Sequence, residues 1–214
     1  MTTIGIIGSG NIGSALAHAF TQAGHDIVIA NSRGPVSLAP LIAELGGSAT
    51  AGTVADAAAP DLVVVTIPLG AVPSIDPELL AGTTIMDTGN YYPQRDGAIP
   101  ELDDESLTTS EWTARHFEHS TIIKAFNHIP ALDIAAHAEP AGSATRRALM
   151  VYGDHETPLD RVAALIDEIG FDAVPGGGLA ESWRIQRDTP GYGPRFTAAE
   201  LVDKLGEARR YRDM

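Results

Sequence analysis

Residues 3–35 read TIGIIGSGNIGSALAHAFTQAGHDIVIANSRGP, and this stretch decides the fold. An apolar run leads into the glycine-spaced loop Gly8-Ser9-Gly10-Asn11-Ile12-Gly13. The residues after the loop place Ile12, Leu16, Ala19, Phe20 and Ala23 at spacings of three and four, the period of a helix with one buried face. Gly24 stops that helix, and a second apolar run follows. Strand, glycine loop, helix, strand is the setting in which a GxGxxG pattern carries meaning. Gly8 suits the tight turn and Gly10 lets backbone approach a pyrophosphate. Gly13 allows close packing of helix on strand. The amides of Asn11 and Ile12, with Ser9 beside them, then face the phosphates at the positive end of the helix.

The second strand ends without a carboxylate. An Asp or Glu there would hold the adenosine ribose hydroxyls of NAD and repel a 2′-phosphate. The window reads Asn31-Ser32-Arg33, and Asp26 lies before the strand. A hydroxyl and a guanidinium suit the 2′-phosphate, so the sequence favours NADP(H) over NAD.

Outward from this unit, short apolar runs alternate with helical patterns. The runs predict strands over 3–8, 26–31, 48–52, 62–67, 84–87, 121–125, 148–152 and 171–174. Most lack polar alternation, which predicts a parallel sheet buried on both faces. Helices are expected over 11–23, 36–45, 54–59, 157–169 and 197–211; Thr197 and Glu200 form a possible capping box in the last. The fold class is α/β: a Rossmann-type, doubly wound, mainly parallel sheet with a small C-terminal extension. A composition shift suggests a nucleotide-binding domain over 1–130 and a smaller part over 131–214 that completes the acceptor site. Residues 88–120 read as a polar insert with little periodicity, and 175–196 as a Gly- and Pro-dense loop; long loops of this kind often carry function.

Composition narrows the chemistry. A net charge of −14 disfavours nucleic acid as a partner. The absence of cysteine removes disulfides, thiolate catalysis and zinc–cysteine sites. No histidine spacing suits a metal, and no apolar run approaches the ~20 residues of a membrane span. The expectation is a cytoplasmic protein with a small-molecule acceptor and no membrane partner.

Further candidates lie at predicted strand ends. Ile67 and Pro68 close one strand and should line the cofactor. Asp87 closes another, followed by Asn90, Tyr91 and Tyr92; a tyrosine there serves either as an acid or as packing. In Lys124-Ala125-Phe126-Asn127, Ala125 and Asn127 are placed against the cofactor. Lys124 is either a proton donor or the buried partner of Asp87. Tyr91, Lys124 and Asn127 are the catalytic candidates.

The segments IGIIGSGNIGSALAHAFTQAGHDIVIANSRGP, IPLGAV and IIKAFNHIPA resemble the NADPH:F420 oxidoreductase family, and the same elements resemble the cytosolic reductase domain of the STEAP metalloreductases. The resemblance implies a Rossmann domain, commonly a homodimer, with NADPH held at Gly8–Gly13 and Ser32–Arg33. It also implies hydride transfer to a deazaflavin or flavin ring (F420, FMN or FAD), a reaction in which the cofactor carries the chemistry. Two departures stand out. Residues 34–37 lack the further basic residue of F420-using members, and the DTGNYYPQRDG insert suggests a sister group with a different acceptor. The alternatives are an NADP-dependent dehydrogenase or imine reductase of a small substrate, and a non-enzymatic NADP(H)-binding sensor.

Overall fold

β1 (Thr3–Ile7), α1 (Asn11–Gln22) and β2 (Asp26–Ala30) form the predicted opening unit, with β1 and β2 parallel. The computed structural model describes residues 2–210 and 212. A 3₁₀ turn at Pro35–Leu38 leads into α2 (Ala39–Leu45), then β3 (Ala49–Ala51), α3 (Val54–Ala58) and β4 (Leu62–Val65). The single helix expected over 36–45 is therefore split, because Pro35 opens one turn and Pro40 the next. After β5 (Thr84–Asp87) come α4 (Pro93–Asp96), α5 (Pro100–Asp103) and α6 (Thr109–His116), then β6 (Thr121–Lys124) and α7 (Ala131–Ala136). β7 (Ala148–Gly153), α8 (Glu156–Glu168), β8 (Asp172–Pro175) and α9 (Ala198–Glu207) complete the chain. The helix predicted over 197–211 stops at Glu207, and Tyr211 lies outside the described residues.

Among the described residues the eight strands form one sheet in the order β3-β2-β1-β4-β5-β6-β7-β8. Alternate residues of each central strand enter separate cores. Ile4, Ile6 and Val64 pack with Leu16 and Phe20, whereas Ile7, Val63 and Val65 pack with Ala57 and Phe117. Burial on both faces is why the runs are uniformly apolar. This is the Rossmann-type architecture expected. No helix among the described residues is long and apolar enough to cross a membrane.

Two further features were not legible in the sequence. β7 runs antiparallel to β6, with Lys124 opposite Tyr152. A parallel neighbour needs a crossover that returns the chain to the far edge of the sheet. β7 is instead entered from beyond the carboxyl end of β6, so no return crossover is needed. The polar insert is also helical rather than irregular. α4 and α5 each begin with proline, and α6 has a full capping box between Thr108 and Glu111. Its buried face is Thr109, Ser110 and Thr113, so apolar periodicity never announced it.

Candidate cofactor cleft and active site

The glycine loop divides into two structural glycines and one that faces open space. Gly8 sits at φ 118°, and a Cβ there would lie 2.3 Å from the Thr66 carbonyl oxygen. A Cβ on Gly13 would lie 2.0 Å from the Gly8 oxygen, so helix and loop pack too closely there for any side chain. A Cβ on Gly10 would meet nothing within 4 Å. The start of α1 has no side-chain cap and no acid in its first turn. Its N–H groups point into the space beside Gly10, a cradle that fits a pyrophosphate.

Asn31 follows β2 directly and ties the loop to the next turn. Its Nδ2 donates to Ser9 Oγ and to Ser37 Oγ, each at 3.0 Å, and its Oδ1 accepts from the Arg33 N–H at 2.9 Å. This turn leaves Ser32 and Arg33 exposed, and the Arg33 guanidinium enters no ion pair among the described residues. Where an NAD site would carry a carboxylate, the protein has a neutral amide used as a brace.

From the loop a cleft of about 380 Å³ runs along the carboxyl ends of the central strands. Its lining includes residues 10–12, 66–68 and 88–90, together with Phe126 and Asn127. Ile67, Pro68, Asn90 and Asn127 thus come together with Gly10, Asn11 and Ile12. Ala125 does not line the cleft; it is fully buried in the core beneath it. Its neighbour Phe126 takes the place, at φ 58° in the left-handed region. A non-glycine residue held there is strained, and such strain concentrates at sites where the surroundings over-determine the backbone.

Asn90 and Asn127 interlock. Asn90 Nδ2 donates to the Asn127 carbonyl at 2.7 Å; Asn127 Nδ2 donates to the Ile185 carbonyl at 2.8 Å and approaches Asn90 Oδ1 at 3.2 Å. Behind them His128 Nε2 accepts from the Met150 N–H at 3.1 Å, so Nδ1 carries the proton and donates to Asn127 Oδ1 at 3.2 Å. Burial, with the charges of Arg147 and Lys124 nearby, lowers the His128 pKa from 6.5 to about 3. Between those values the unfolded chain binds a proton that the native state does not. Stability is therefore complete above pH 6.5 and falls as pH drops toward 3. Urea denaturation from pH 7 to 4 should show this fall, with a shallower slope in His128→Gln. Parallel slopes in the two proteins would show that His128 is not the titrating group.

Lys124 and Tyr91 are turned away from the cleft. Lys124 is fully buried, and its ammonium donates to Asp87 Oδ2 at 3.0 Å, to Thr109 Oγ1 at 3.1 Å and to the Gly89 carbonyl. Ser110 Oγ and the Gly89 N–H complete the Asp87 carboxylate at 2.9 and 2.8 Å. All three lysine donors are engaged, and this closed pair ties β5 to β6 and α6. Burial pulls the Lys124 pKa down and Asp87 opposes that. Tyr91 donates to Asp103 Oδ1 at 2.7 Å and accepts from the Ile99 N–H at 3.0 Å, pinning the insert to itself. Burial and the Asp103 carboxylate raise its pKa, so it stays protonated as a strut.

The sequence reading named Tyr92 at the cleft but not the residue it pairs with. Tyr92 and Tyr192 both line the cleft, and their hydroxyls meet at 2.8 Å. A hundred residues separate them, and no local pattern marks Tyr192 beyond its Pro-Gly-Tyr-Gly-Pro loop.

Residues 3–91 match the family model described as NADP oxidoreductase, coenzyme F420-dependent. Over nearly its whole length the chain is similar to the hypothetical protein SMa0349 from Sinorhizobium meliloti. Their identity is 33%, covering 92% of this chain and 95% of that one, with a TM-score of 0.79. The chain belongs to the coenzyme F420-dependent NADP oxidoreductase family. That membership makes it an NADP-dependent oxidoreductase by family. A structure from Arthrobacter sp. FB24 named for F420-dependent NADP reduction shares the fold at 22% identity and a TM-score of 0.70, covering 85% of this chain and 87% of that one. So does a reductive aminase from Aspergillus terreus in complex with NADPH, at 18% identity and a TM-score of 0.57; 84% of this chain covers 56% of that one. YjhV of Escherichia coli K12 is 40% identical over 75 residues, 33% of this chain, and the match spans 55% of that curated relative's length.

Proposed function

We propose that this family member binds NADPH along the cleft and reduces a deazaflavin- or flavin-type ring. The observation that carries the proposal is the uncovered side of Gly10, which opens from an uncapped helix start onto a cleft reaching Asn90 and Asn127. In this reading the amides of Asn11 and Ile12 hold the pyrophosphate, and Ser32 and Arg33 hold the 2′-phosphate. The interlocked Asn90 and Asn127 form a rigid polar end against which a nicotinamide carboxamide is oriented. Bound NADPH supplies the hydride; the chain's work is to align two rings and keep water from between them. A second reading, reduction of a small carbonyl or imine, is favoured by one observation, the phenol pair at the cleft.

The test is NADPH oxidation with F420, FMN, FAD and ferric chelates offered separately, with NADH as control. Turnover with a ring acceptor and a preference for NADPH are expected. Arg33→Ala should weaken NADPH by about ten- to a hundredfold and leave NADH unchanged, the scale of one charge-assisted phosphate contact. Equal losses for both nucleotides would remove Arg33 from the 2′-phosphate. Tight NADPH binding without turnover on any ring would overturn the proposed function.

A further inference from the structure

Tyr192 stands on a loop held far more firmly than its glycines and prolines suggest. Arg147, almost completely buried, donates to the Gly193 carbonyl at 2.7 Å and to Asp133 Oδ2 at 2.8 Å. The Gly193 N–H donates to the His128 carbonyl at 3.1 Å, and the Tyr192 N–H to the Thr189 carbonyl at 3.0 Å. The loop is thereby fastened to the segment that carries Asn127. Tyr92 comes from the opposite side, its backbone N–H bound to Asp96 Oδ2 at 2.9 Å. The Arg95 and Arg187 guanidiniums lie 4.7 and 5.4 Å from the centre of its ring. Each arginine is paired with the adjacent aspartate, Asp96 and Asp188.

Two hydroxyls thus meet in the cleft that also holds Asn90 and Asn127, while Lys124 and His128 are engaged in the protein interior and Tyr91 is bound to Asp103 outside the cleft. We propose that Tyr92 and Tyr192 form a proton relay that serves acceptors whose reduction consumes a proton at oxygen or nitrogen. This rests on the function proposed above and extends its acceptors from the deazaflavin or flavin ring to carbonyl and imine groups, which take up a proton in the same way. As the acceptor atom (carbon in a carbonyl, imine or deazaflavin, the N5 nitrogen in a flavin) gains hydride with its electron pair, the π electrons it shared move to the conjugated oxygen or nitrogen. The Tyr192 O–H bond breaks to supply the proton there. Tyr92 passes its own proton to Tyr192, and water replaces it, so one solvent proton is consumed per hydride transferred. Burial and the contact with Tyr92 raise the Tyr192 pKa, which keeps the hydroxyl a donor at neutral pH. Arg187 acts in the opposite sense and Asp188 in the same sense as burial. Both phenols are half-buried and line the cleft, and either can donate in their hydrogen bond; the order water, Tyr92, Tyr192 is part of the proposal.

The experiment compares wild type with Tyr192→Phe and Tyr92→Phe. Expected are wild-type NADPH dissociation constants in both variants and a kcat lower by about a hundredfold or more in Tyr192→Phe, the scale of general acid catalysis. Tyr92→Phe should lose less. A readout independent of turnover is the ¹³Cζ titration of Tyr192 in the free protein, which should move to lower pH in Tyr92→Phe. A Tyr192→Phe kcat within threefold of wild type, or a Tyr192 titration unmoved by Tyr92→Phe, overturns the relay and leaves the proposed function standing. NADPH binding without turnover in wild type overturns both.

Discussion

Replacing Gly10 by valine should abolish measurable NADPH binding, a loss of roughly a thousandfold or more, while the protein still folds. The reason is an asymmetry within the glycine loop. A side chain on Gly10 meets no protein atom within 4 Å, so it enters only the space where the pyrophosphate is proposed to lie. The thermal midpoint should stay within about 4 °C of wild type, because only the helix N-cap preference changes. Gly13→Val is the contrasting control. Its Cβ would lie 2.0 Å from the Gly8 oxygen, so it should damage the fold itself. Calorimetric titration and melting curves on both variants separate the two effects. Undiminished NADPH binding by Gly10→Val would remove the glycine loop from the cofactor site.

Lys124→Met should cost about 3–5 kcal/mol of stability, because Asp87 would be left charged, buried and without its cation. The carboxylate would keep only Ser110 and the Gly89 N–H. The double variant Asp87→Asn/Lys124→Met should recover part of that loss, since neither charge is then stranded. Urea denaturation of the single and double variants measures the coupling. A single variant with wild-type stability and lost turnover would instead make Lys124 part of the chemistry.

The opening unit was legible because its signals are local. A glycine pattern between an apolar run and a 3.6-residue period has one low-energy arrangement, and the absent acid after β2 can be read residue by residue. The strands were legible because burial on both faces leaves continuous Val and Ile. The insert was not, because α6 buries threonine and serine against the Asp87–Lys124 pair, and a polar buried face carries no apolar period. The Thr108–Glu111 capping box was its one visible signal. Sequence placed Lys124 beside Asp87 and left two roles open. The interior hydrogen bonds of the ammonium decide between them in favour of the pair.

By itself, then, the sequence determined the nucleotide-binding unit, the buried sheet and the absence of a ribose-binding carboxylate at Asn31. Each of these depends on neighbours within a few residues of one another. Only the tertiary structure decided which polar groups face the cleft. The antiparallel entry of β7, the turning of Lys124 inward onto Asp87, and the meeting of Tyr92 with Tyr192 all depend on contacts between distant segments. Such contacts are set by how the layers pack, and packing leaves no periodic trace in the chain.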